Sequence, residues 1–170
     1  MCSSGIRENV MRNTKGFSLI ELLIVVAIIL IIAALAAPSF LHARIAANES
    51  ATVGSLRTLN TAQISYNSNY PTVGFANALS YLAGTTCATV SPTSTSACLI
   101  DSALGSGTKS GYVFTLSGVS GTPASTYQVV ATPVGANQTG VNYFCSFADA
   151  VVRSSGAAIS TCDGSVSPQQ

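Results

Sequence analysis

The sequence predicts an α+β protein: a long N-terminal helix, transmembrane in its first half and amphipathic in its second, packed under a small antiparallel β-sheet head. Three observations predict it. Residues 17–37 form an apolar run of 21 residues in which only Ser18 and Glu21 are polar. Residues 42–66 carry apolar side chains at helical spacing. From Tyr112 onward, short β-rich segments alternate with Gly, Pro and Ser.

At about 1.5 Å per residue the apolar run is about 31 Å long as a helix, enough to cross a bilayer core. Glu21 sits near its start. A carboxylate in that setting is costly and marks a functional position. Cleavage between Gly16 and Phe17 would free an amine four residues before Glu21, and positions i and i+4 share a helix face. Ammonium and carboxylate would then neutralise each other, within one chain or between neighbours.

The residues Lys15-Gly16, Phe17, Ser18-Leu19-Ile20 and Glu21 resemble the type IV pilin family. That family's signature is a short basic leader ending in Gly, then Phe, then an apolar helix with Glu as its fifth residue. The resemblance is close over residues 11–60 and beyond that lies in the overall layout. It implies a type IVa-like pilin with a cleaved leader at 1–16 and a filament-core helix at 17–41. An amphipathic helical half at 42–68 and a head at 69–170 complete the layout. It further implies a prepilin peptidase that cuts after Gly16 and methylates Phe17. An inner-membrane platform and an ATPase then build subunits into a helical homopolymer, a surface pilus serving adhesion, motility or DNA uptake. Pro38 matches the family proline at which the helix bends, and Glu21 and Pro38 are the expected assembly residues.

Charge is consistent with this layout. Charged residues make up 8% of the chain, and three of its seven bases (Arg7, Arg12, Lys15) precede Phe17. Under the positive-inside rule they hold the N-terminus in the cytoplasm and send the head outward. Four bases and five acids remain after residue 16. No clustered Lys and Arg are left for phosphates, so no specific nucleic-acid site is expected. An ordinary signal peptide cut near residues 33–37 is the competing reading, but its apolar core is normally shorter. A start at Met11 would give a six-residue leader and make residues 1–10, with Cys2, dispensable.

Past Pro38, helical patterning runs from His42 to about Tyr66. Ile45, Val53, Leu56 and Leu59 lie near one face, with Ala46, Thr52 and Ala62 beside them. Arg44, Glu49, Arg57 and Asn60 are expected on other sides. Polar residues 67–70 and Pro71 end the helix. Residues 71–110 read as a linker-like loop with a short helix at 75–82. The Ser/Thr stretch 91–96 is a candidate for O-linked sugar, and Asn48 and Asn137 open weak N-glycosylation sequons. Strands are expected at 112–116, 127–132 and 142–147, with a fourth at 150–154. They form a sheet over about 111–154 whose apolar face covers the second half of the helix.

Cys87, Cys98, Cys145 and Cys162 remain after the leader. An even number on the exported side predicts disulfides. Three pairings are open, and the local pairs 87–98 and 145–162 are preferred. The segment 154–170 is expected to be held only through Cys162. No two cysteines are spaced C-x-x-C and His42 is the sole histidine, so neither a metal nor another cofactor is expected. No catalytic residue is expected either: no Ser has a base partner, and residues 105–109 lack P-loop spacing. Phe17, Phe40, Tyr66 and Tyr70 read as packing residues, not a conduction path.

Two further readings stay open. A major pseudopilin of a type II secretion system shares the N-terminus and layout, although no acidic, Gly-rich calcium loop is present near the C-terminus. An anchored or secreted globular protein unrelated to filaments predicts no cut after Gly16.

Overall fold

The chain is described by a computed structural model covering residues 16–84, 87 and 91–169. Residues 1–15, which hold the three leader bases, Met11 and Cys2, lie outside the described residues. Two units are defined, Met1–Ser39 and Phe40–Gln170. Helix α1 is assigned over Leu19–Asn69, 51 residues, with Pro38 inside it and not at its end.

In the unit from residue 40 onward, α1 buries Ile45, Thr52, Ser55, Leu56, Leu59, Ala62, Gln63 and Tyr66. These recur at three- and four-residue steps, the period that keeps one helix face against a core. Leu56 and Leu59 are fully buried, and truncating such a leucine costs about 2–5 kcal/mol. Thr52 and Ser55 enter the same face because each hydroxyl donates to the carbonyl four residues back, at 2.8 and 2.9 Å. A hydroxyl satisfied within its own helix is cheap to bury.

The helix packs on a five-stranded meander. Its strands are β1 (Thr108–Lys109), β2 (Tyr112–Gly121), β3 (Ala124–Pro133), β4 (Tyr143–Phe147) and β5 (Arg153–Ser155). Spatial order follows chain order, and every neighbouring pair is antiparallel. Register places Phe114, Ala131 and Phe144 in one row, and Leu116, Val129 and Ser146 in the next. Tyr112, Phe114, Tyr127, Val129, Ala131 and Phe144 join Leu56, Leu59, Ala62 and Tyr66 in one core. The α+β class, the long apolar helix and the antiparallel sheet expected from sequence are therefore all present.

Several expectations need correction. Residues 71–110 are not linker-like: Ala76, Leu79, Leu82, Ala97 and Leu104 are buried in the main core. Two single-turn helices carry three of them, α2 (Leu79–Leu82) and α3 (Ser102–Gly105). The short helix expected at 75–82 is reduced to its last turn. Residues 73–75 instead bond across to the β2–β3 turn: Ala124 N donates to Val73 O at 2.8 Å and Phe75 N to Ala124 O at 3.0 Å. Gly74 has φ +86°, and a Cβ there would run into the Ala124 carbonyl, so the crossing requires glycine. The fourth expected strand starts three residues late. Ala150 has positive φ and its N–H closes a turn on Phe147 O at 2.8 Å.

The C-terminal segment is held by more than Cys162. Ser154 N donates to Ser167 O at 3.0 Å and Gln169 N to Val152 O at 2.9 Å. Ile159 and Val166 cover Val130 and Cys145 on the outer sheet face.

Asn60 is the largest departure. Expected to face away, it is 4% exposed. Its amide nitrogen donates to Ala150 O at 3.0 Å, and its oxygen accepts from Tyr127 Oη at 3.2 Å and Ser146 Oγ at 3.0 Å. One side chain thus ties α1 to β3, β4 and the following turn, and a buried amide so bonded has its polar atoms satisfied. Asn60→Ala strands these partners without water. We expect a loss of about 2–3 kcal/mol, read as a fall of several degrees in Tm of the detergent-solubilised full chain. A Tm unchanged from wild type would contradict the assignment.

Candidate processing and assembly segment

Gly16, Phe17, Glu21 and Pro38 all belong to the first unit. Ser18 O accepts from Glu21 N at 3.1 Å and Leu22 N at 3.2 Å, opening the helix. Glu21 falls in the first helical turn, where the aligned peptide dipoles favour negative charge. Among the described residues nothing donates a hydrogen bond to the Glu21 carboxylate and no cation pairs with it.

The apolar side chains around it are equally without partners. Every side chain described from Phe17 to residue 36 is exposed, Phe17 at 77% and Leu19 at 81%. An apolar surface of this extent is a site of association with lipid or with other protein. The helix is long and apolar enough to cross a membrane. A Cβ added at Gly16 would meet nothing within 4 Å. Nothing within the described chain therefore requires glycine there.

The remaining predicted site residues are the cysteines, and the structure pairs them locally. Cys87 and Cys98 are joined at an S–S distance of 2.05 Å, Cys145 and Cys162 at 1.97 Å. The second bond pins the C-terminal segment to β4 from outside the sheet. Cys162 N also donates to Gln128 Oε1 at 2.8 Å.

Sequence reasoning missed the carboxylate that organises the β3–β4 connection. Glu49 Oε1 accepts from Val141 N at 2.8 Å and Asn142 N at 2.9 Å, and Oε2 from Asn142 Nδ2 at 2.9 Å. Asn48 Nδ2 donates to Thr139 O at 2.9 Å beside it. That bond uses the nitrogen a sugar would need, which weighs against Asn48 as a glycosylation site. The available signal was the adjacent polar pair Asn48-Glu49 in an otherwise alanine-rich helix. Partial burial pushes the Glu49 carboxyl up, but the three donated bonds outweigh it and hold it below the usual range.

Asp149 and Arg153 form the second electrostatic feature, 2.6 Å apart. The guanidinium lies 4.5 Å from the Phe147 ring centre. Burial raises the Asp149 carboxyl, yet the Arg153 bonds bring it below its ordinary value. Tyr127 is pushed up to about 12, first by burial and then by the Asp149 charge. Each of these groups serves the fold of the head.

The geometry thus defines a class: a membrane-type apolar helix with a carboxylate near its start that has no partner among the described residues, continued as the core helix of a small antiparallel head. The comparisons with known proteins narrow it. A family profile described as the prokaryotic N-terminal methylation motif matches residues 11–37. The chain is also 62% identical over 40 residues to the "Type IV wide pilus major component PilA4" of Thermus thermophilus. That match covers 24% of this chain and spans 30% of the length of that relative. No solved structure matches the chain. The profile and the relative bear out the resemblance to the type IV pilin family.

The Glu49 clamp has a definite pH signature. Its folded-state pKa is lowered, so its contribution is complete above the ordinary carboxylate range and is lost as pH falls through the lowered value. The Tm difference between wild type and Glu49→Gln should be widest at neutral pH and shrink below about pH 4. Thermal melts across that range check it, and a pH-independent gap would contradict the clamp.

Proposed function

We propose that this chain is a structural subunit of a type IV pilus filament and not an enzyme. The observation that carries this reading is the Glu21 carboxylate, without a partner among the described residues, inside an exposed apolar helix that begins within a methylation motif. In this reading prepilin peptidase cuts after Gly16 and methylates the new amine of Phe17. The open surroundings of Gly16 support it, because a peptidase and not the fold then demands the glycine. The cleaved subunit waits in the inner membrane as a single span with its N-terminus cytoplasmic. An assembly platform and its ATPase extract it into a helical homopolymer on the cell surface, where the filament serves adhesion, motility or DNA uptake.

The energetics favour polar pairing as the source of specificity. Moving an apolar helix from lipid into a bundle of like helices brings little hydrophobic gain, so packing and polar contacts decide the register. A carboxylate meeting the Phe17 amine of a neighbouring subunit removes two costly charges at once and fixes the axial step. Pro38 lacks the N–H that would bond back along the helix. It marks the place where the helix opens most cheaply during extraction.

Two substitutions test the reading. Glu21→Ala or Glu21→Val should leave processing intact and reduce sheared filament yield by at least about tenfold, the loss of about 1.4 kcal/mol per subunit contact. Gly16→Leu should leave the leader attached, visible as an unshortened mass. Normal filament yield from the Glu21 variants would remove the carboxylate from assembly, and a shortened Gly16→Leu product would refute the cleavage site.

A further inference from the structure

Two ion pairs take up four charged groups of the unit Phe40–Gln170: Lys109 with Asp101 at 2.7 Å, and Arg153 with Asp149 at 2.6 Å. Glu49 is taken up differently, with both oxygens bonded to neutral donors around Asn142. Among the described residues of this unit, Arg44, Arg57 and Asp163 are exposed and form no ion pair, Arg153 acting on Asp163 only at longer range. The two cations stand on α1 and the anion on the C-terminal segment.

Arg57 differs from Arg44 in its surroundings. It forms the rim between two hollows along α1, of about 330 and 590 Å³. The first is bordered by Thr58, Thr61, Ser65 and Leu99, the second by Ser50, Val53, Phe144 and the Glu49 side chain. The hydroxyls of Thr58 and Thr61 donate to Gly54 O and Arg57 O, each at 3.0 Å. They keep no proton for an outside acceptor, so the guanidinium is the charged donor here, beside the hydroxyls of Ser50 and Ser65. Arg44 lines neither hollow.

Asp163 stands on a tight, exposed turn. Its Oδ1 accepts from Ser165 N at 2.9 Å and Ser165 Oγ at 2.5 Å. The residue before it is fixed twice, by the Cys145–Cys162 bond and by the Gln128 side chain. The turn therefore presents a carboxylate with one oxygen unused, on a support that does not need to be ordered on binding. An acidic turn complements the charge of the first hollow, whose lining holds Arg57 and no carboxylate.

We infer that the Asp163 turn of one subunit docks beside Arg57 of a neighbouring copy of this chain, in an ion pair between heads. The inference rests on the filament reading, in which the surface facing α1 belongs to another copy. Closing water out around a lone guanidinium is costly unless a carboxylate arrives with it. The two patches are different surfaces, so the contact is head-to-tail and, where its rotation does not close into a ring, propagates along a helix.

The test is a charge swap in the full-length protein, read as sheared filament yield. Arg57→Glu and Asp163→Arg should each lower the yield at least about tenfold, while Arg57→Glu with Asp163→Arg together should return it to within about threefold of wild type. Asp163→Asn keeps the acceptor that closes the turn and removes only the charge, so its yield should also fall. An intact 145–162 disulfide and a wild-type Tm in detergent show that the single variants have folded. Wild-type yield from Arg57→Glu or Asp163→Asn would overturn the pairing, as would a swapped pair that stays low. A wild-type chain that forms no filaments fails earlier, at the filament reading itself, and takes this inference with it.

Discussion

An apolar segment that finds no partner among the described residues of its own unit governs this molecule. Side chains from Phe17 to residue 36 lie open, and the single carboxylate among them has neither donor nor cation among the described residues. Such a surface is stable only against lipid or against other protein. The chain's chemistry is concentrated at the start of that surface. Cleavage there would supply the missing positive charge, and neighbouring copies the missing apolar contact. The head meanwhile needs nothing from outside for its own core.

That independence comes from how the second half of α1 is tied down. Its buried face mixes leucines with polar residues that each close a defined bond. Asn60 joins β3, β4 and the turn at Ala150. Gln63 bonds both backbone groups of Ala76, at 2.8 and 3.1 Å, and so fixes the segment after the helix. Tyr66 Oη donates to Ser94 O at 2.6 Å and secures the Ser/Thr-rich stretch. Glu49 does the same for the β3–β4 connection. Spaced along one helix, these side chains act as anchors for successive loops, while the two disulfides staple segments that have fewer apolar contacts.

Much of this was legible in the sequence, and the failures share a cause. The apolar run, the position of Glu21 and the Leu56–Leu59 face follow from local spacing, which helix geometry makes readable. β-rich composition bounded by Gly, Pro and Ser located the centres of β2, β3 and β4. What spacing cannot show is a polar residue whose partners lie far off in the chain. Asn60 and Glu49 read as solvent-facing because their bonds reach across 67 to 93 residues and more than one element. The two-residue β1 and the single-turn α3 exist only through pairing and through the Asp101 cap on Leu104 N. The C-terminal segment looked loose for the same reason. Its Gly/Ser composition hides backbone bonds to Val152 and Ser154 that only the folded sheet provides.

The central claim is that the apolar segment is completed by cleavage and by other copies of the chain. Intact mass spectrometry of the sheared surface fraction, with and without reductant, tests it most directly. The account predicts a mass corresponding to residues 17–170 plus one methyl group, rising by about 4 Da on reduction as two disulfides each gain two hydrogens. Uncut protein would contradict the account outright, and processed protein confined to the membrane fraction would contradict surface assembly and favour a pseudopilin.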